Sequence, residues 1–99
     1  MRLTPAQIHT ITQTVSRLTQ GTAEIFLFGS RLDDQARGGD VDLLIETDRA
    51  PPLLERARLT MELEQLIGLP VDIVFHERET ALTPFKRIVR ANAIRLEAE

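Results

Sequence analysis

The chain has no cysteine, tryptophan or tyrosine, and only four phenylalanines and one lysine among its 99 residues. Without cysteine, a disulfide framework, a thiolate metal centre and a cysteine nucleophile are all excluded. So few aromatics form no platform on which bases could stack, which removes support for single-strand nucleic-acid recognition. A formal charge of −3 and an isoelectric point near 5.4 lack the basic excess that draws proteins to phosphate backbones, so no general nucleic-acid binding is expected. No run approaches the roughly 18 apolar residues of a membrane span, and Met1 to Pro5 opens no apolar leader. The expectation is a soluble, cytoplasmic protein that does not bind membranes.

What is present is ordinary globular material, 42% apolar and 27% charged. It suffices for a single domain spanning residues 1–99 with its own core. A domain of this size buries only roughly 60–65% of its unfolded surface. A bound ligand, an oligomer or a hetero-complex is therefore expected to add to its stability. Eleven arginines stand against Lys86; arginine is the better planar binder of phosphate and carboxylate, although a compositional bias accounts for most of them.

Thr4-Pro5-Ala6-Gln7 combines a capping threonine, a proline at the first helical position and a glutamine three residues after the cap. Ile8, Ile11, Val15 and Leu18 follow at helical spacing up to Gly21. Ala23 to Phe28 reads as a strand ended by Gly29-Ser30, and Arg31 to Arg37 as a short helix or an irregular turn before Gly38-Gly39. Val41, Leu43, Leu44 and Ile45 form a second strand. Pro51-Pro52 introduces a helix with Leu53, Leu54, Ala57, Met61, Leu63, Leu66 and Ile67 as apolar positions, ending at Gly68; its Glu55, Arg56, Arg58, Glu62 and Glu64 read as a solvated face. Val71, Ile73, Val74 and Phe75 make a third strand, and Thr83-Pro84 starts a last helix carrying Phe85, Ile88, Val89 and Leu96. The order α-β-α-β-α-β-α predicts an α/β (α+β) fold, a small mixed β-sheet flanked by helices.

Chemistry concentrates between Phe28 and Ile45. Strand side chains alternate, so Asp40 and Asp42 project from one face while Val41 and Leu43 point the other way. Two carboxylates side by side disfavour each other's ionisation unless a cation lies between them. Short carboxylates offering only oxygen suit Mg²⁺ or Mn²⁺, which is usually shared with substrate phosphates. Gly29-Ser30 answers that need, since glycine lets the backbone approach closely while exposed N–H groups and a hydroxyl hold phosphate oxygens. Asp72 interrupts the apolar start of the third strand and is expected to bind a second ion and help deprotonate the attacking hydroxyl, in an in-line displacement that releases pyrophosphate.

The Gly-Ser turn, the Asp-x-Asp pair on the next strand and the lone aspartate on a third strand resemble the DNA polymerase β-type nucleotidyltransferase superfamily. Phe28-Gly29-Ser30-Arg31 and Asp40-Val41-Asp42-Leu43 most resemble its minimal nucleotidyltransferases, and the resemblance covers nearly the whole chain. It implies a polymerase β-like palm fold. It implies that Gly29 and Ser30 hold the triphosphate of ATP, that Asp40, Asp42 and Asp72 form the Mg²⁺-binding triad, and that Arg31 matches the family string. Gly38-Gly39 departs from the pattern, where a polar residue, often serine, is expected before the first aspartate. Many minimal nucleotidyltransferases are antitoxins of HEPN-domain toxins, and some transfer AMP to a tyrosine of the toxin. A short chain with no visible acceptor domain fits a partner that presents the hydroxyl. The competing readings are an interaction module that masks its partner without turnover, and a transferase acting on a small-molecule hydroxyl.

Other residues read more plainly. Asp33 and Asp34 suit turn or cap duty, and His9 and His76 suit surface or helix positions. Arg78, Lys86, Arg87 and Arg90 either reach towards phosphates or a partner, or form a solvated helix face. Met61 and the phenylalanines Phe26, Phe28, Phe75 and Phe85 are expected in the core.

Overall fold

Thr4 starts the first helix by the expected reciprocal pair: its hydroxyl accepts from Gln7 N at 3.1 Å while Gln7 Oε1 accepts from Thr4 N at 2.9 Å. A computed structural model describes residues 3–29 and 39–97. Ser30, Arg31, Asp33, Asp34, Gly38 and the Arg31 to Arg37 segment lie outside the described residues. Helix α1 (Pro5–Thr19) is followed by strands β1 (Glu24–Phe28) and β2 (Val41–Thr47), helix α2 (Leu53–Ile67), strand β3 (Val71–Glu77), helix α3 (Pro84–Asn92) and strand β4 (Ile94–Leu96).

The strands form one mixed sheet in the order β3-β2-β1-β4. β1 runs antiparallel to β2 and β4, whereas β2 and β3 are parallel and joined through α2. Parallel neighbours need such a crossover, because a tight turn can only reverse the chain. Alternation along the strands gives the sheet two unlike sides. Ile25, Leu27, Val41, Leu43, Ile45, Val71 and Leu96 pack with Ile11 and Val15 of α1 and Leu59 and Leu63 of α2 in the main core. Leu63 is fully buried, so truncation to alanine there should cost about 2–5 kcal/mol. The opposite side holds a smaller cluster of Phe26, Leu44 and Val89, with Phe28, Val74 and Ala93 against it. Asp42 and Asp72 emerge on this thinner side, beyond the apolar cluster.

Several expectations change. Leu96 belongs to a strand rather than to the last helix, because Ala93 turns extended and Leu96 then buries itself opposite Ile25. Three residues are too few for a period of two to stand out against helical spacing. Leu53, Leu54, Met61 and Leu66 of α2 are more than half exposed, as are Phe85 and Ile88 of α3, and Ala57 is exposed too. A helix lying on a sheet buries one stripe, here Leu59 and Leu63 with Ile67 beside them, and flanking leucines stay outside. The charged side of α2 is not simply solvated. Arg56 donates to Pro51 O at 2.7 Å and lies over Phe75, Glu62 pairs with Arg17, and Glu64 accepts from Val71 N. Phe26 is buried and Phe28 and Phe75 are half-buried, as expected for core residues.

Candidate active site

β1 ends at Phe28, and Gly29 then turns the chain with φ +77°, a left-handed conformation that glycine adopts without strain. Glycine is required there for a second reason. A Cβ on Gly29 would fall inside contact distance of Asp42 Oδ2 and 3.1 Å from Asp42 Cγ. The backbone therefore runs directly against that carboxylate, and Gly29 itself is exposed.

Register places the acids. Phe28 faces Asp42 across the antiparallel pair, and Asp42 faces Asp72 across the parallel pair, so the two aspartates are neighbours on adjacent strands and the same sheet side. Asp40, just before β2, shares their parity and is exposed, as is Asp72; Asp42 is half-buried. Burial pushes the Asp42 carboxyl above its usual range, and the charges of Asp72 and then Asp40 push it the same way. Asp42 is thus the centre of a row of three like charges. Among the described residues no three acidic or histidine side chains are already drawn into a ligand cage. The row is instead an oxygen-only, mutually repelling set of the kind a hard divalent cation relieves, and the chemistry of its donors fits Mg²⁺.

Gly29, Asp40, Asp42 and Asp72 come together at one end of the sheet, while Ser30 and Arg31 continue from Gly29 outside the described residues. Two cavities of about 310 and 320 Å³ lie elsewhere, one between α1 and β4 and one between the end of α1 and the start of α2, and neither touches the acids.

The basic residues separate from this end. Arg78 follows β3 at the opposite end, where it donates to Asp48 at 2.8 Å, to Glu46 O at 3.1 Å and to Thr22 O, and lies 3.5 Å from Glu24. These carboxylates, with Asp48 foremost, hold its guanidinium above the usual arginine range. Its work is to tie β1, β2 and β3 together. Arg90 sits 2.7 Å from buried Glu46 and 4.4 Å above the Phe26 ring, so it too faces inward. His76 is buried in β3 as the register partner of Glu46, not on a surface or a helix, and its Nδ1 has no hydrogen-bond partner among the described residues. These inward pairings have no local signal, because their partners come from separate strands. His9 and Arg87 are exposed, and Lys86 is half-buried.

A glycine turn and three aspartates thus stand at one end of a mixed sheet. Over residues 8–96 the chain matches the nucleotidyltransferase domain, and it belongs to that family. A solved structure provisionally described as a minimal nucleotidyltransferase is 32% identical, covers 94% of this chain and 96% of its own, and superposes with a TM-score of 0.66. Protein adenylyltransferase MntA of Thermococcus cleftensis is 42% identical over 55 residues, which are 54% of this chain and 56% of that protein. The chain thus matches little more than half the length of that relative. A complex of a tri-AMPylated Shewanella oneidensis HEPN toxin with its MNT antitoxin shares the fold, with a TM-score of 0.74 at 19% identity over 95% of this chain and 71% of that one. Among the described residues, no helix is long and apolar enough to cross a membrane.

Proposed function

We propose that this chain is a protein adenylyltransferase that moves AMP from ATP to a tyrosine hydroxyl of a HEPN-type toxin, acting as the antitoxin of the pair. The observation that carries the reading is the register of Asp42 with Asp72, with Asp42 set against the exposed Gly29. The similarity to a protein adenylyltransferase and the fold shared with a toxin-bound antitoxin support the choice of nucleotide and acceptor.

In this mechanism Gly29 and Ser30 hold the triphosphate, and Arg31 adds positive charge beside it. Asp40 and Asp42 would hold Mg²⁺, with Asp72 completing the set for a second ion. When bound, these ions neutralise charge on the attacking and leaving oxygens of an in-line displacement. The acceptor oxygen forms its bond to the α-phosphorus as the bond to the bridging oxygen breaks. Pyrophosphate leaves, and the hydroxyl proton passes to Asp72.

The test is mass spectrometry of the partner toxin after incubation with the protein, ATP and Mg²⁺. An adenylyl increment on a tyrosine is expected, lost in the Asp40→Asn, Asp42→Asn double variant. Losing a ligand should exceed the roughly 10–100-fold effect of losing an outer-shell partner. No increment with active wild-type protein sinks the proposal. The exposed Leu53, Leu54, Met61, Phe85 and Ile88 favour a second reading, in which the chain masks its partner without turnover. That reading requires the double variant to neutralise the toxin as well as wild type does.

A further inference from the structure

Asp72 is the acid contributed from furthest along the chain, and its placement depends on how β3 begins. The peptide group that joins Pro70 to Val71, immediately before it, is held on both sides. Its carbonyl accepts from Val41 N at 2.8 Å, and its N–H donates to Glu64 Oε2 at 2.9 Å. Val41 is the residue between Asp40 and Asp42, so one rigid peptide plane links the segment carrying two of the acids to the strand carrying the third. Glu64 lies in the last turn of α2, and its carbonyl accepts from Gly68 N at 2.9 Å, where the left-handed Gly68 ends the helix. A side chain from the end of α2 thus captures the first amide of β3.

We infer that Glu64 is a positioning residue that sets Asp72 against Asp40 and Asp42 by clamping the Pro70–Val71 peptide; this rests on the proposed nucleotidyl transfer. A bond from an amide to an ionised carboxylate is shorter and stronger than one between neutral groups. Bonds at both ends of one peptide also polarise it and reinforce each other. Without Glu64, that peptide is held by the Val41 bond alone, and the start of β3, with the backbone that carries Asp72, is free to shift against β2. Glu64 touches neither nucleotide nor ion in this arrangement. It acts through the backbone, as an outer-shell partner acts through a ligand.

The experiment compares Glu64→Ala, which removes the acceptor, with Glu64→Gln, which keeps an oxygen in its place. Mn²⁺ retention is read by electron paramagnetic resonance with a non-hydrolysable ATP analogue, and transfer is followed against Mg²⁺ concentration. Glu64→Ala should weaken Mn²⁺ retention and raise the Mg²⁺ requirement, each about tenfold or more, while Glu64→Gln, which keeps a weaker neutral acceptor, falls between it and wild type. A residue that served stability alone would lower the melting temperature and the active fraction but leave the Mg²⁺ dependence of the remaining activity unmoved, and that result overturns the inference. So does equal impairment of both variants. If wild type neither retains Mn²⁺ nor transfers, the catalytic reading has failed, and hydrogen exchange at the Val41 amide then decides the clamp. Faster exchange in Glu64→Ala alone supports it, and unchanged exchange overturns it.

Discussion

Gly29 and Asp42 are built against each other: the turn runs so close to the carboxylate that the smallest side chain has no room. Gly29→Ala must therefore displace Asp42 as well as strain a left-handed backbone. The strain costs about 1–2 kcal/mol of stability. A misplacement of the order of 1 Å at a reacting centre lowers transfer about a hundredfold. Gly21→Ala is the matched comparison, since Gly21 has φ +76° but its Cβ would meet only Ser16 Oγ, at an ordinary 3.8 Å. It should lose similar stability and keep its activity. Melting curves and transfer rates of the two variants check this, and equal activity losses would refute the contact as the cause.

Asp42 also links the site to stability. Its ionised form is disfavoured in the folded chain by burial, by Asp72 and by Asp40, so its folded pKa stands above its unfolded one. Folding then gains from a protonated Asp42, and the gain, full below the unfolded value of about 3.9, is lost as pH rises through the folded one. Asp42→Asn should thus melt higher than wild type at neutral pH in the absence of divalent ions, with the difference closing as pH falls through the carboxylate range. Mg²⁺ with nucleotide should raise the melting temperature of wild type and leave that of the variant nearly unchanged. A variant that melts lower than wild type at neutral pH contradicts this account.

Glu46 and Arg90 give a prediction remote from the acids. Arg90→Ala leaves the carboxylate of Glu46, only 7% exposed, without its cation. The expected loss is about 2 kcal/mol, below the roughly 3–5 for a fully buried pair because the Arg90 side chain is 41% exposed. Glu46→Gln combined with Arg90→Met should recover most of it, because no unpaired charge then remains. Chemical denaturation of the three proteins measures both effects.

The contrast between these residues shows what the chain reveals before it folds. Helix α1 is legible because Thr4, Pro5 and Gln7 act on their own neighbours, and the strands because apolar runs end at Gly29 and begin after Gly39 and Pro70. Asp42 and Asp72 stand out because each interrupts an apolar stretch, and Asp40 because it shares the strand face of Asp42. The pairing of Asp42 with Asp72, by contrast, depends on β2 and β3 lying parallel in one particular register, which no local pattern encodes. Glu64 looked like any helix-surface glutamate for the same reason, since its partner is the first amide of the following strand. Leucines on several sides of α2 likewise left open which stripe meets the sheet, and Leu59 and Leu63 were selected only by packing.

The parallel arrangement of β2 and β3 also sets the order in which the site can assemble during folding. β1 and β2 can zip together with Asp40 and Asp42 already in place, but β3 must wait until the whole of α2 has traversed the sheet. Such non-local pairing is slow, because the entropy of closing the intervening chain is lost before any contact rewards it. A nascent molecule would pass through a stage that carries two of its acids and lacks the third, so the acidic cluster closes only once a pairing across thirty residues has formed, with β4 still to dock on β1.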